Sequence, residues 1–303
     1  MMPKMIDAGY PKPFVIVLAA SAALLEALIP PSNAAILYSA LTYVPVSQTF
    51  AAGIIPGLIL LLFMIALVLF KCRKVKQYKR ATNHEKLILG MKAFPALLTP
   101  LIILGGIYGG FLTPSESAAV SGIWAIFMGF FIYRELTITN LLQSIKETAI
   151  TTAVIFSIIA MATFLSKVFT YTQFPQFIIS SITEMGVGLN FFWFAMAVIC
   201  LVLGTFIEIV PVFYLTIPIF SAIILSFNQS LIHLYVVFVA FAGIGMITPP
   251  VCVGIYTSAS VIQENPAKAF KEVPLFVGVG ILYGILMIFI PEASTWLPSL
   301  LTK

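Results

Sequence analysis

The sequence predicts an all-α polytopic membrane protein, and three observations predict it. Apolar residues make up 61% of the chain and charged residues 9%, with a mean hydropathy of +1.09. Several apolar runs reach the roughly 20 residues that a helix needs to cross a hydrocarbon layer of about 30 Å. Two of these runs are interrupted by the same element, IPPSNAAILY at Ile29 to Tyr38 and TPPVCVGIY at Thr248 to Tyr256. Proline has no amide donor and its ring clashes with the preceding turn, so neither helix runs undisturbed through Pro30-Pro31 or Pro249-Pro250. In lipid, the freed backbone groups survive only where they are buried in protein or line a cavity. Broken helices in corresponding positions of two halves point to a transporter's binding site.

The expected spans cover residues 14–41, 50–70, 93–112, 114–134, 149–169, 232–262 and 274–297. The first follows MMPKMIDAGYPKP, which lacks the charged region, short apolar core and cleavage site of a signal peptide, so it is read as a true span. The second ends at KCRKVKQYKR, Lys71 to Arg80, a run that anchors the loop at anionic headgroups or serves a partner. Between the third and fourth spans stands Thr113-Pro114-Ser115-Glu116, in which Thr113 caps a helix, Pro114 suits its first turn and Glu116 reaches back to the cap amide. The fifth lies between two amphipathic stretches, the second of them at 174–185. Next comes an apolar stretch from Phe191 to Phe227 that contains Pro211 and Pro218 and is too long for one crossing. Its centre, GTFIEIVP at Gly204 to Pro211, offers a glycine, a threonine and an acid where a chain can reverse. The reading is a re-entrant hairpin of two half-depth helices, with two ordinary tight spans as the alternative. The sixth span is broken at Pro249-Pro250, and the last is entered at Pro274.

A net charge of +5 and a pI near 9.1 do not indicate nucleic acid, because the basic residues sit in short loops rather than in a stripe with interleaved aromatics. They report topology. With a cytoplasmic N-terminus, fourteen of the sixteen Lys and Arg residues, Lys12, Lys71, Lys268 and Lys271 among them, fall on the cytoplasmic side, leaving Lys167 and Lys303 outside. A hairpin and a double crossing give the same sides. Cys72, Cys200 and Cys252 are scattered, without disulfide or zinc spacing. Gly105, Gly106, Gly109 and Gly110, and Gly280 with Gly284, have the spacing that lets membrane helices approach closely. His84 in the basic loop and His233 at a span entrance read as solvated or interfacial. An integral membrane enzyme would need a cluster such as HExxH, a nucleophile elbow or paired aspartates, and none is present.

This topology makes the two Pro-Pro elements antiparallel. Pro31 lies 25 residues before Pro56 and Pro250 lies 24 before Pro274, each later proline starting or entering an apolar span. Units of similar order and opposite sense are the signature of an inverted-topology repeat. The second unit has a span and a hairpin ahead of its break, whereas the first has only Met1 to Lys12. The expectation is therefore that the chain is the later part of a transporter whose first hairpin lies in roughly a hundred or more preceding residues.

The run LGGIYGGFLTPSESAAVSGIWAIFMGFFIYRELT at Leu104 to Thr137 is joined by AGIIPGL at Ala52 to Leu58, LGTFIE at Leu203 to Glu208, ITPPV at Ile247 to Val251 and IPEASTWLP at Ile290 to Pro298. Together, in order along essentially the whole chain, they resemble the large, DctM-like permease subunit of tripartite ATP-independent periplasmic (TRAP) transporters. That resemblance implies sodium-coupled import of an organic acid, such as a C4-dicarboxylate, a sialic acid or a similar carboxylate. It also implies a small membrane subunit, a periplasmic solute-binding protein, a place in the bacterial cytoplasmic (inner) membrane, and sodium as coupling ion with no other cofactor. The implied mechanism is an elevator, with residues 1–49 and 149–262 as transport halves, the latter holding the hairpin at 191–227 and the broken helix at 232–262. Residues 50–148, with a basic loop at 71–92, and 274–303 would form the scaffold.

The resemblance also implies a sodium site at Gly204, Thr205, Gly245, Thr248 and the backbone around Pro249, where freed carbonyls and a hydroxyl suit a hard cation. Pro30, Pro31, Ser32 and Asn33 would form half of a second site, whose other half is a hairpin tip this sequence does not contain. Glu208, beyond the hairpin tip, has a cation or substrate role or holds hairpin amides. Glu26, one turn before Pro30, is an ionisable residue at membrane depth and so a candidate site acid, or it faces the polar side of that hairpin. No arginine lies in the expected transport halves to fix a carboxylate. A non-transporting or truncated scaffold component is the second reading, and a membrane enzyme the third.

Overall fold

The computed structural model describes residues 1–73, 82–174, 176–178, 180 and 188–301, and among these it contains helices and no strand. The helices are α1 (Met2–Asp7), α2 (Lys12–Leu28), α3 (Asn33–Thr42), α4 (Val46–Lys71), α5 (Asn83–Tyr108) and α6 (Pro114–Phe127), which continues as a π-helical turn through Ile132. There follow α7 (Ile138–Tyr171), α8 (Leu189–Phe206), α9 (Ile209–Ser226), α10 (Leu231–Ile247), α11 (Val253–Val261), α12 (Val273–Phe289) and α13 (Glu292–Leu301). Among the described residues six helices are long and apolar enough to cross a membrane, and α2 with α3 and α12 with α13, bent by 44° and 56°, would bring the number to eight if each pair is one span. The polypeptide is a multi-pass membrane protein.

Its residues form two compact units, Met1–Gln77 with Ala162–Lys303, and Tyr78–Met161. In the second, α5 packs on α6, and the expected Thr113 capping box is present: Glu116 N donates to Thr113 Oγ1 over 3.3 Å and Thr113 N donates to Glu116 Oε2 over 2.7 Å. A second box with the same T-x-x-E spacing, Thr82 with Glu85, starts α5 ten residues ahead of the expected span and shortens the basic loop. The expected amphipathic stretch before residue 149 and the span after it are one helix of 34 residues, because no glycine or proline interrupts Ile138 to Tyr171.

In the larger unit, α10 is the axis. Every residue from His233 to Gly245 is buried, as expected of a helix that is apolar all round. It packs against α2, α4, α8, α9 and α12. Its contact with α12 uses the glycines expected to allow it: a Cβ on Gly280 would lie 2.7 Å from Ile244 Cγ1, and one on Gly284 2.7 Å from Phe241 Cζ. Phe213 stacks on Phe238 with ring centroids 4.7 Å apart. His233 corrects its expectation of solvent or interface: it is 2% exposed, its Nδ1 sits 2.9 Å from Ser294 Oγ, and Trp193 meets its ring edge-on. The cause is α13, which the sequence merged into one span over 274–297. Pro291 breaks that span, and the bend folds α13 back onto α4 and α10. The stretch expected as a hairpin is two helices of 18 residues each, α8 and α9. At 1.5 Å per residue each is about 27 Å long, so length suits two tight spans as well as a hairpin.

Polar contacts mark the unit's two ends. At one, Glu264 pairs with Lys12 at 2.9 Å and Lys268 at 2.7 Å, and Lys71 pairs with Glu272 at 3.0 Å. This gathers Lys12, Lys71 and Lys268, three of the lysines expected to share a side. At the other, the Tyr38 hydroxyl donates to Leu231 O over 2.6 Å. The α2–α3 pair thus runs from the charged end to the other, and α10–α11 runs back.

Hydrogen bonds from Lys268 and Lys12, with the charges of both, pull the Glu264 carboxyl down to about 2. A depressed carboxyl pKa adds stability above the ordinary carboxylate range that is lost as pH falls toward about 2. Glu264→Gln is expected to lower the melting temperature of the detergent-solubilised protein at pH 7. The gap should close on acidification and shrink in high salt, since both lysines are more than half exposed.

Candidate functional site

At the first break, Ile29 N still donates to Leu25 O over 2.7 Å, but Pro30 and Pro31 provide no amide for the carbonyls of Glu26 and Ala27. Ala27 O is satisfied instead by two hydroxyls. Ser32 Oγ donates to it over 2.8 Å, and Tyr235 Oη, from α10, donates to it as well. Ser32 is 1% exposed and also caps α3, accepting from Ala35 N over 3.4 Å. Tyr235 in turn packs on Tyr38, ring centroids 5.1 Å apart. The outer side of the break is closed by α4. A Cβ on Gly53 would lie 1.9 Å from Leu28 O, and one on Gly57 2.6 Å from Ile29 Cγ1, so the backbone passes where only glycine leaves room. Of the half-site residues, Ser32 is thus committed to the break itself, Pro30 and Pro31 are partly buried, and Asn33 is exposed at the start of α3.

At the second break, Thr248 closes the end of α10: its amide donates to Gly245 O and its hydroxyl to Ile244 O, each over 2.8 Å. The next carbonyl, Met246 O, has Pro250 where its helical donor would stand. Cys252, in the left-handed region at φ 49°, turns the chain into α11. Both Pro-Pro bonds, Pro30-Pro31 and Pro249-Pro250, are cis. The end of α8 lies against this break through two glycines facing each other. A Cβ on Gly204 would come within 2.4 Å of Ala242 O, and one on Gly245 within 2.8 Å of Gly204 Cα. Thr205, the next residue, is 8% exposed and donates to Val202 O over 2.7 Å.

The structure therefore brings Gly204, Thr205 and Gly245 to one crossing, with Thr248 and Pro249 directly beyond it. Both hydroxyl protons are used within their own helices, which leaves the oxygen lone pairs as acceptors. All the donors on offer are oxygens, from hydroxyls and helix-end carbonyls, and these suit a hard monovalent cation. Glu208, the N-cap of α9, is exposed and makes no capping bond with its side chain.

A cavity of about 80 Å3 joins the two breaks. Glu26 and Ala27 line it from the first, Met246 and Gly254 flank it at the second, and Ile209, the residue after Glu208, opens α9 onto it. Tyr235, Gly53 and Gly57 were not singled out in the sequence. The glycines stand in AGIIPGL with a spacing of four, a usable signal. Tyr235 carries none, because its partner lies 208 residues away.

The family model described as tripartite ATP-independent periplasmic transporter, DctM component, matches residues 1–293. The C4-dicarboxylate TRAP transporter large permease protein of Pseudomonas aeruginosa is 31% identical over 97% of this chain and 70% of its own length. The sialic acid TRAP transporter large permease protein of Vibrio cholerae is 29% identical over 98% and 70%. The ectoine TRAP transporter large permease protein of Halomonas elongata is 29% identical over 99% and 71%. These relatives are named for three different substrates at nearly equal identity.

Two outcomes test this geometry by unfolding in detergent. Gly53→Ala should destabilise by about 1–3 kcal/mol through overpacking, whereas Gly90→Ala, with open space at its Cβ, should be neutral or stabilising by up to about 1 kcal/mol. Tyr235→Phe and Ser32→Ala should each cost about 0.5–1.5 kcal/mol. The double variant should lose more than their sum, since only then is the Ala27 carbonyl left without a donor; simple additivity would show that the two hydroxyls do not share it.

Proposed function

Because this chain belongs to the family of the DctM component of the tripartite ATP-independent periplasmic transporters, we propose that it carries out sodium-coupled import of an organic carboxylate. Membership makes it a transporter component rather than an enzyme, acting in substrate transport through a TRAP system. The observation that carries the finer reading is the second break. There a chain reversal after α8, the end of α10 and the start of α11 converge, with Thr205, Thr248 and the carbonyls of Gly245 and Met246 as oxygen donors. Sodium bound there would tie α8 to the α10–α11 pair, and the antiparallel α2–α3 pair would supply the matching half-site around Ser32. Sodium would add the positive charge that draws a carboxylate, since the only arginine outside the basic loop is Arg134, beyond the end of α6. The rest of the recognition falls to helix N-termini, those of α3 and α11 directly following the breaks.

The reading includes a small membrane subunit, delivery by a periplasmic solute-binding protein, a place in the bacterial inner membrane with the N-terminus of this chain on the cytoplasmic side, and elevator-type movement. The substrate is proposed only as a carboxylate of the kind for which the Pseudomonas and Vibrio relatives are named.

Uptake into liposomes holding this chain and its small subunit, with the solute-binding protein outside, is expected to require an inward sodium gradient. Thr248→Ala should raise the sodium concentration needed for half-maximal uptake about tenfold while inserting normally. Uptake that proceeds unchanged when choline replaces sodium would sink the reading.

A further inference from the structure

We infer that the groove between α8, α10 and α12 holds one acyl chain of a membrane phospholipid. α8 and α12 both pack on α10, and together they leave a cavity of about 370 Å3. Trp193, Ala197 and Phe241 form its floor and are at most 7% exposed, whereas Phe194, Val198 and Phe289 line it as exposed walls. Past Asn190 and the Trp193 indole, every lining side chain is hydrocarbon. Water finds no partners among such groups, so the occupant has to be apolar. A transported carboxylate is excluded for the same reason, since its charge would be left unpaired.

Length selects a lipid chain. The lining follows α8 from Asn190 to Leu201, a rise of about 16 Å, which matches the roughly 15 Å of hydrocarbon in one leaflet. Asn190 is exposed in the first turn of α8, and Trp193, one turn on, meets His233 near the start of α10. The groove therefore begins at the end of the unit opposite the Glu264 and Glu272 ion pairs, at headgroup level, and runs to mid-membrane. An extended chain advances about 1.25 Å per carbon, from a C–C bond of about 1.52 Å at a tetrahedral angle, so about thirteen carbons span it. The partial positive charge of the α8 N-terminus lies where the phosphate would be. A partner helix does not fit: a 16 Å length at least 10 Å across takes up roughly 1,200 Å3, about three times the space. The same α8 carries Gly204 and Thr205 to the second break. A chain seated in the groove thus helps to position that helix.

The test reads lipid binding and is independent of the coupling ion. A phosphatidylcholine brominated in the upper half of its acyl chains is titrated into the detergent-solubilised chain with its small subunit, and quenching of Trp193 fluorescence is followed. The Trp193 signal is the difference between each protein and its Trp193→Phe counterpart, which removes the contribution of every other tryptophan. Wild type should quench to a plateau at one lipid per chain. Ala197→Phe, which puts a ring on the floor of the groove, should need about tenfold more lipid, the effect of displacing about two methylenes. Val198→Phe, on the exposed wall, decides the matter if Ala197→Phe does not fold. Ala22→Phe, on an exposed face of α2 outside the groove, should leave the titration unchanged. Quenching that never saturates, or that is the same in wild type and the folded groove-filling variants, would mark ordinary boundary lipid and overturn the site. Absence of Trp193 quenching overturns it too, and the appearance of quenching once the small subunit is removed would give the groove to that subunit.

Discussion

A backbone carbonyl that loses its helical donor inside a membrane has to find another partner, and the larger unit of this protein is arranged around that need. Each Pro-Pro pair removes two amides in succession. At the first break the debt is met by side chains, Ser32 from the break itself and Tyr235 from α10, both converging on Ala27 O. At the second break Thr248 satisfies the carbonyls of Ile244 and Gly245, and Met246, whose carbonyl loses its helical donor to Pro250, lines a cavity. The same sequence device thus yields one break whose Ala27 carbonyl is closed by two hydroxyls and one that stands beside a cavity.

Close backbone approach makes this possible. Gly53 and Gly57 let α4 cover the first break, Gly204 and Gly245 let α8 meet α10 beside the second, and Gly280 and Gly284 let α12 lie along α10. Membrane helices gain little from burying apolar surface against each other, since lipid is equally apolar, so tight contact at small residues is what holds them in place. The buried aromatic cluster of Tyr38, Phe213, Tyr235 and Phe238 ties α3, α9 and α10 near the first break. Through Tyr235 this cluster also touches the carbonyl that Pro31 leaves free, so packing and polar satisfaction depend on the same residue.

Local chemistry was read well from the sequence. The box at Thr113 and Glu116 forms because its two hydrogen bonds lie within one turn, and the glycines at 280 and 284 pack because their spacing defines one face of a helix. The Thr82–Glu85 box has the same spacing, but the basic run beside it reads as a loop. His233 and Pro291 go together: from the sequence alone a proline near the end of an apolar stretch reads as part of a span, and the fold-back of α13 that buries His233 depends on that proline. Glu26 was legible as an acid at membrane depth. Its position beside Met246 and Gly254, 220 and more residues away, was not.

By itself the sequence determined that this is a helical, multi-pass membrane protein with two antiparallel interrupted spans, because composition, span length and the missing amide of proline act locally and need no partner. It also carried enough ordered motifs to point to the DctM family. What only the tertiary structure decided is which oxygens each break leaves free and which residues close the rest. That outcome depends on Tyr235 reaching Ala27, on Gly204 meeting Gly245, and on the Glu26 cavity lying against the second break. These are contacts between segments some 40 to 230 residues apart, set by helix packing that no local pattern encodes.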